Sequence, residues 1–277
     1  MGPLTVSSWV RLDAAFAGLA FVLLLFPRFV PQRPGVERTL WIKLGVFFLV
    51  VHATLALLGP GSEQRPYRWL ATGGSMAIVC AAGPGGVEVQ VLVVVLLGAA
   101  SMPVLLERPA GARASAGAVA LTALLAGLLP ASVYRLRLEH AGLAAFLFIL
   151  VALNDAGAEA AGRTFGRRPF CSPVSPRKTV EGLLGGLLAT VLAAVAFAPL
   201  LDTGAPRLAT LAVIAALTAV LGDLIFSAIK RDAGCKDFRA LLPAHGGLLD
   251  RFDSFLVSAG CCHLLLQALP ALSAAGG

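Results

Sequence analysis

The sequence predicts an all-α, polytopic integral membrane protein with about nine transmembrane helices, eight of them clear. Three observations carry that prediction. Of the 277 residues, 58% are hydrophobic and only 13% are charged, about half the roughly 25% charge of soluble domains. The mean hydropathy is +0.85. The apolar residues also gather in runs of about 20, the length that crosses ~30 Å of hydrocarbon at ~1.5 Å per residue. This composition excludes a water-soluble globule, and it is the opposite of a disordered chain. Five cysteines, Cys80, Cys171, Cys235, Cys261 and Cys262, have no C-x-x-C spacing, so neither a zinc site nor a disulfide framework is suggested.

In chain order the apolar windows fall at 9–27, 39–59, 68–83, 87–106, 115–134, 139–161, 181–201, 207–229 and 252–272. The first is followed by Pro27, Arg28 and Phe29 rather than a small-x-small cleavage site, and reads as a retained anchor. The third is short and rich in Gly and Ser. Tight Pro, Gly and Arg loops such as GPGSEQRP at 59–66 and ERPAGAR at 107–113 separate neighbouring helices. With nine spans and a cytoplasmic N-terminus, most Lys and Arg fall inside, as basic loops prefer. The cluster Arg28, Arg33 and Arg38 then lies outside. Omitting the window at 68–83 flips the first two helices and brings that cluster in, leaving the C-terminal half unchanged. The net charge of +7 therefore marks cytoplasmic loops, anionic headgroups and anionic substrates rather than nucleic acid. No tandem repeat is visible. The chain is expected to divide into N-terminal transmembrane helices at 1–135 and a catalytic transmembrane region at 136–277, with cytoplasmic loops at 162–180 and 230–251.

Ionisable residues within spans are costly and usually functional, and here they enter those two loops. In Asn154-Asp155-Ala-Gly-Ala-Glu159-Ala-Ala-Gly162-Arg163, the residues Asp155, Glu159 and Arg163 share one helical stripe. An ion-pair ladder between packed helices is the alternative for Glu159. In Ser175-Pro176-Arg177-Lys178-Thr179-Val180-Glu181-Gly182, Ser before Pro predicts an N-cap and first helical residue. Arg177 and Lys178 in that first turn would make an anion cradle.

The densest constellation runs from Gly222. Asp223, Ser227 and Lys230 share a helical face, Arg231, Lys236 and Asp237 follow, and Pro243, His245, Gly246, Gly247, Asp250, Arg251 and Asp253 lead into the last helix. Carboxylates from neighbouring helices at one depth suit a hard divalent cation, and Mg²⁺ needs only two or three of them because it keeps water and takes phosphate oxygens. Snorkelling cations and an acidic helix start would account for single residues, but not for His-Gly-Gly beside so many carboxylates and cations. His52, His263 and Lys43 stand alone in spans; the histidines read as interhelical packing groups and the lysine as a snorkeller. Cys261 and Cys262 read as small packing residues.

The stretch SAIKRDAGCKDFRALLPAHGGLLDRFD, from Ser227 to Asp253, resembles the signature of the CDP-diacylglycerol synthases, or phosphatidate cytidylyltransferases. The upstream D-x3-[YE]-x2-G-R-x2-G and SPxKTxEGxxGG stretches resemble the same family, so the motifs cover about 154–186 and 222–254. Arg239 and Glu159 depart from its pattern, where a small residue and an aromatic are usual, and mark a divergent subgroup. The resemblance implies that Asp223 and Asp250 hold Mg²⁺, with K⁺ as a second cation, and that CTP and phosphatidate react to CDP-diacylglycerol and pyrophosphate. Under that reading Asp253 is a secondary metal ligand or orienter. Lys230, Arg231, Lys236 and Arg251 hold phosphates, with Asp237 and His245 in the same catalytic group. His245 is a hydrogen-bond donor or proton relay, or equally a structural residue. Gly246 and Gly247 let backbone approach a phosphate. Asp155, Arg163, Ser175, Lys178, Thr179 and Ser227 bind substrate. The implied partners are CTP and phosphatidate or a related membrane lipid, in a bacterial inner membrane with the site facing the cytoplasm. A homodimer is an arrangement the sequence leaves open. A transporter would need mid-bilayer charges and repeated broken helices, and a lipid-alcohol kinase is the enzyme rival.

Overall fold

The computed structural model describes residues 65–82, 87–105, 111–201, 205–232 and 249–268. The expected spans at 9–27 and 39–59, with Lys43 and His52, lie outside the described residues, as do Lys236, Asp237, Arg239, His245, Gly246 and Gly247. The described helices are α1 (Arg65–Ala81), α2 (Glu88–Leu105), α3 (Ala112–Thr122), α4 (Leu129–Glu139), α5 (Ala141–Phe165), α6 (Val180–Phe197), α7 (Ala205–Asp232) and α8 (Leu249–Ala268). A π-helical turn, Ala123–Leu128, joins α3 to α4, and a 3₁₀ turn, Ala198–Leu201, ends α6. Among the described residues there is no strand, only one isolated β-bridge. Four continuous helices, Arg113–Glu139, Gly142–Phe165, Val180–Phe197 and Pro206–Asp232, are long and apolar enough to cross a membrane. Trp69–Ala81, Glu88–Ser101 and Phe252–Ala268 are shorter apolar helices. The chain is an all-α integral membrane protein.

The described residues divide between two compact units, whose bounds are Met1–Arg135 with Asp237–Arg251, and Leu136–Lys236 with Phe252–Gly277. In the first, small residues bring helices together. A Cβ on Gly74 would lie 2.7 Å from the Val95 side chain, and one on Gly127 would lie 3.1 Å from the Ser75 Cα. The π turn has a local cause. Pro130 has no N–H to donate back and its ring crowds the preceding turn, so the helix widens just ahead of it. Ser75 lends its hydroxyl to the Thr122 carbonyl at 3.5 Å. At the start of α2, Glu88 is buried and pairs with Arg135 at 2.5 Å.

The second unit is built on the antiparallel pair α5 and α6. Membrane helices lack a hydrophobic drive toward each other, so small residues that let backbones approach supply the contact. Gly157, Ala158 and Ala161 face Gly182, Gly185, Gly186 and Ala189. A Cβ on Gly186 would come within 2.7 Å of the Asn154 carbonyl, and one on Gly157 within 2.7 Å of the Ala189 Cβ. The outer face of α6 carries exposed Leu184, Leu188 and Leu192, suited to lipid. Helix α7 packs on α6 and α5, and α8 closes on α7 where Gly222 meets Val257 and the Asp253 carbonyl. Phe148 stacks edge-on against Phe255 at 5.3 Å, and Ser258 donates to the Ala215 carbonyl at 3.0 Å. His263 is buried with Nδ1 3.9 Å from Glu139 Oε2, and Cys262 is buried.

Two boundaries differ from the sequence reading. The gap expected between 134 and 139 is helical to Glu139, and only His140 separates α4 from α5. The helix expected to start at Ser175-Pro176 starts at Val180 instead, with Thr179 as its N-cap. The Thr179 Oγ1 accepts the Gly182 N–H at 3.1 Å. Ser175 and Pro176 form the preceding turn, in which the Lys178 N–H bonds the Ser175 carbonyl at 3.2 Å. Arg177 and Lys178 therefore precede the helix rather than forming a cradle in its first turn.

Candidate active site between the ends of α5, α6 and α7

The strap joining α5 to α6, residues 166–179, doubles back on itself. Gly166 ends α5, where its N–H bonds the Gly162 carbonyl at 3.0 Å and its Cα packs on Thr179 with no room for a Cβ. Pro169 and Thr179 form the isolated antiparallel bridge. The Phe170 N–H bonds the Lys178 carbonyl at 2.6 Å, and the Val180 N–H bonds the Arg168 carbonyl at 2.9 Å. At the tip, the Cys171 carbonyl accepts from Val174 and Ser175, and Cys171 takes a left-handed φ of 61°.

This strap carries Lys178 across to α7, where its ammonium pairs with the Asp223 carboxylate. Asp155, from the last turns of α5, lies within electrostatic range of both Asp223 and Lys178. The three groups line a cavity of about 560 Å³ together with Asn154, Glu159, Arg163, Phe170, Arg177, Thr179, Leu183 and Val220, a size in the range of small-molecule sites. Asn154 is buried, donates to Asp155 Oδ1 at 3.5 Å, and leaves its Oδ1 without a hydrogen-bond partner. At the mouth, Glu159 pairs with Arg163 at 2.6 Å, both exposed. The pair lies within one helix, four residues apart, rather than between packed helices.

Of the site residues expected from sequence, the cavity gathers Asp155, Arg163, Lys178, Thr179 and Asp223. Ser175, Ser227, Lys230 and Arg231 do not line it. Ser227 sits one turn along α7 and donates to Asp223 Oδ1 at 3.4 Å; Lys230 is buried and Arg231 exposed. Asp253 is buried, and its Oδ1 accepts from the Ser254 N–H at 2.6 Å. Asp250 and Arg251 fall in the first turn of α8, but their side chains lie outside the described residues. Phe170 is a lining residue that no local sequence pattern marks. Glu181 stands in the quoted motif but shows its contacts only in three dimensions: its carboxylate accepts the backbone N–H groups of Arg167 at 3.0 Å and Arg168 at 3.2 Å.

Among the described residues, no three His, Cys, Asp or Glu side chains converge as a closed metal cage. The cavity instead offers three carboxylates, Asp155, Glu159 and Asp223, and no thiolate or imidazole. Those hard oxygen donors fit Mg²⁺, which completes its shell with water and phosphate oxygens.

Fold and site together define an integral membrane protein with a charged cavity lined by carboxylates and basic side chains from α5, α6, α7 and the strap. The model of the cytidylyltransferase family matches residues 14–269, and the chain belongs to that family. It is 42% identical over 125 residues to a Mycobacterium bovis protein named phosphatidate cytidylyltransferase, covering 45% of this chain and 41% of that one. Proteins of the same name from Mycobacterium leprae and Staphylococcus saprophyticus are 40% and 37% identical over 133 and 135 residues. Those matches cover 48% of this chain and 43% and 52% of the relatives. The matched stretch thus spans about half or less of each relative.

Proposed function

We propose that the chain transfers a cytidylyl group from CTP to phosphatidate, or to a related phospholipid acceptor, giving CDP-diacylglycerol and pyrophosphate. The observation that carries this reading is the convergence of Asp155, Lys178 and Asp223 on one cavity, in a chain of the cytidylyltransferase family. A phosphatidate oxygen, already anionic, attacks the α-phosphorus of CTP; the bond from that phosphorus to the bridging oxygen breaks and pyrophosphate leaves with its electrons. No protein nucleophile is required. The barrier is repulsion between two polyanions and the charge growing on the leaving group, so positioned charges supply most of the catalysis.

Asp223, with Asp250 and secondarily Asp253, would hold Mg²⁺, and K⁺ is the second cation in this reading. The metal supplies charge neutralisation on the nucleotide phosphates. Lys178 is released from Asp223 when phosphate enters and then holds the anion itself. Arg163 and Arg177 at the cavity edge attract it, Arg being suited to bidentate phosphate contacts. The resemblance to the family assigns Lys230, Arg231, Lys236, Arg251, Asp237 and His245, with Gly246 and Gly247, to the handling of the phosphates. The acyl chains stay in the bilayer, and the site faces the cytoplasm of a bacterial inner membrane, where CTP is supplied. A homodimer is compatible with this arrangement.

The test uses purified chain in detergent micelles with labelled CTP, Mg²⁺ and phosphatidate. Pyrophosphate and a CDP-lipid should form, and Asp250→Asn and Asp223→Asn should abolish both. Turnover of ATP with a lipid alcohol to ADP and a phosphorylated lipid, with none from CTP, would overturn the reading.

A further inference from the structure

Lys178 sits on a loop rather than on a helix, so its place at the cavity depends on what fastens that loop. We infer that Glu181 is a positioning residue for Lys178, acting through the backbone of the strap. This rests on Lys178 serving the site as proposed above.

Four contacts link the two residues. The Glu181 carboxylate takes the N–H groups of Arg167 and Arg168, a pair of adjacent amides that forms an anion-binding concavity. The Arg168 carbonyl accepts from Val180, next to Glu181 in the chain. On the other edge, the Phe170 N–H fixes the Lys178 carbonyl at 2.6 Å. The Lys178 ammonium then reaches Asp223. Glu181 is thus the side chain that fastens the outgoing arm of the strap to the rigid first turn of α6, and Lys178 lies on the returning arm. Thr179 already supplies the N-cap bond to Gly182; the Glu181 carboxylate meets its own backbone N–H as well as those of Arg167 and Arg168, and so ties the first turn of the helix to the strap.

The amides that Glu181 binds are exposed, so water replaces the carboxylate at little cost in global stability. What is lost is the order of the strap, and a displacement of about 1 Å in a positioned charge can cost on the order of 10²-fold in rate. Activity should therefore respond where thermal stability does not.

The experiment compares the full chain in micelles with Glu181→Ala, Glu181→Gln, Lys178→Ala and the Glu181→Ala/Lys178→Ala pair. Glu181→Ala should lose roughly tenfold to 10²-fold in kcat/KM with an unchanged thermal midpoint. Glu181→Gln, whose amide oxygen still accepts both N–H groups, should recover most of it. On the Lys178→Ala background, Glu181→Ala should add almost nothing. Amide exchange at Arg167, Arg168, Phe170 and Val180 should quicken in Glu181→Ala while that of α5 and α7 holds, and Lys178 should react faster with an amine-acylating reagent. If Glu181→Ala folds poorly, Glu181→Ser, polar but too short to reach the strap, takes its place. Additive losses in the double variant, undiminished activity, or unchanged strap exchange would each overturn the inference. If the wild type turns over no CTP, the functional reading fails, and exchange and acylation rates still decide whether Glu181 positions Lys178.

Discussion

Two ion pairs in this molecule use the same chemistry for different ends. Glu88 and Arg135 are separated by 47 positions in the chain and meet at 2.5 Å, with Glu88 buried and Arg135 mostly so. Lys178 and Asp223 meet just as closely, yet both are only half-buried and both line a cavity. In the first, a charge that lost its partner would stay in a low-dielectric interior, where breaking a pair is costly. In the second, water or an incoming phosphate can take over from either partner. A sealed pair therefore serves the fold, and a pair opening onto a cavity serves a ligand.

Four measurements press on that contrast. The largest effect belongs to Asp223→Asn, which should lower the rate of CDP-lipid formation by about 10³–10⁵-fold, the scale of charge stabilisation in phosphoryl transfer, with the thermal midpoint nearly unmoved. Glu88→Ala should do the reverse, costing about 3–5 kcal/mol in an unfolding titration while the folded fraction turns over at the normal rate. Equal losses of stability in the two variants would erase the distinction. Lys178→Met should cost on the order of 10²-fold in kcat/KM, the usual effect of deleting one charge-stabilising donor. At the small end, Glu159→Gln breaks an exposed pair one helical turn long, worth ~0.2–1 kcal/mol, and should shift activity by no more than about fivefold. A larger effect there would make the mouth of the cavity part of its chemistry.

The sequence reading captured what local periodicity can carry. Helices α5, α6, α7 and α8 lie close to their expected windows because each is a long apolar run, and the Asp155, Glu159 and Arg163 stripe was legible from helical spacing alone. Contacts between distant segments were not. Nothing near Lys178 names Asp223 as its partner, and nothing near Glu88 names Arg135. The misplaced start of α6 has a similar cause. Ser-Pro is a sound local signal for a helix, but the chain needs residues 176–178 for the return arm of the strap, a tertiary demand that overrides propensity. The π turn before Pro130 was signalled by a residue whose consequence depends on the helix continuing through it.

The contact between α5 and α6 has a corollary for traffic of the lipid. Along Gly157, Gly182, Gly185 and Gly186 even one added methyl group would collide with the opposite backbone or side chains. A hydrocarbon tail is at least as wide as a methyl group, so the seam is shut along this stretch. If the proposed reaction holds, an acyl chain accompanying a headgroup to Asp223 travels along another wall, and inhibitors meant to block that route gain nothing by aiming between these residues.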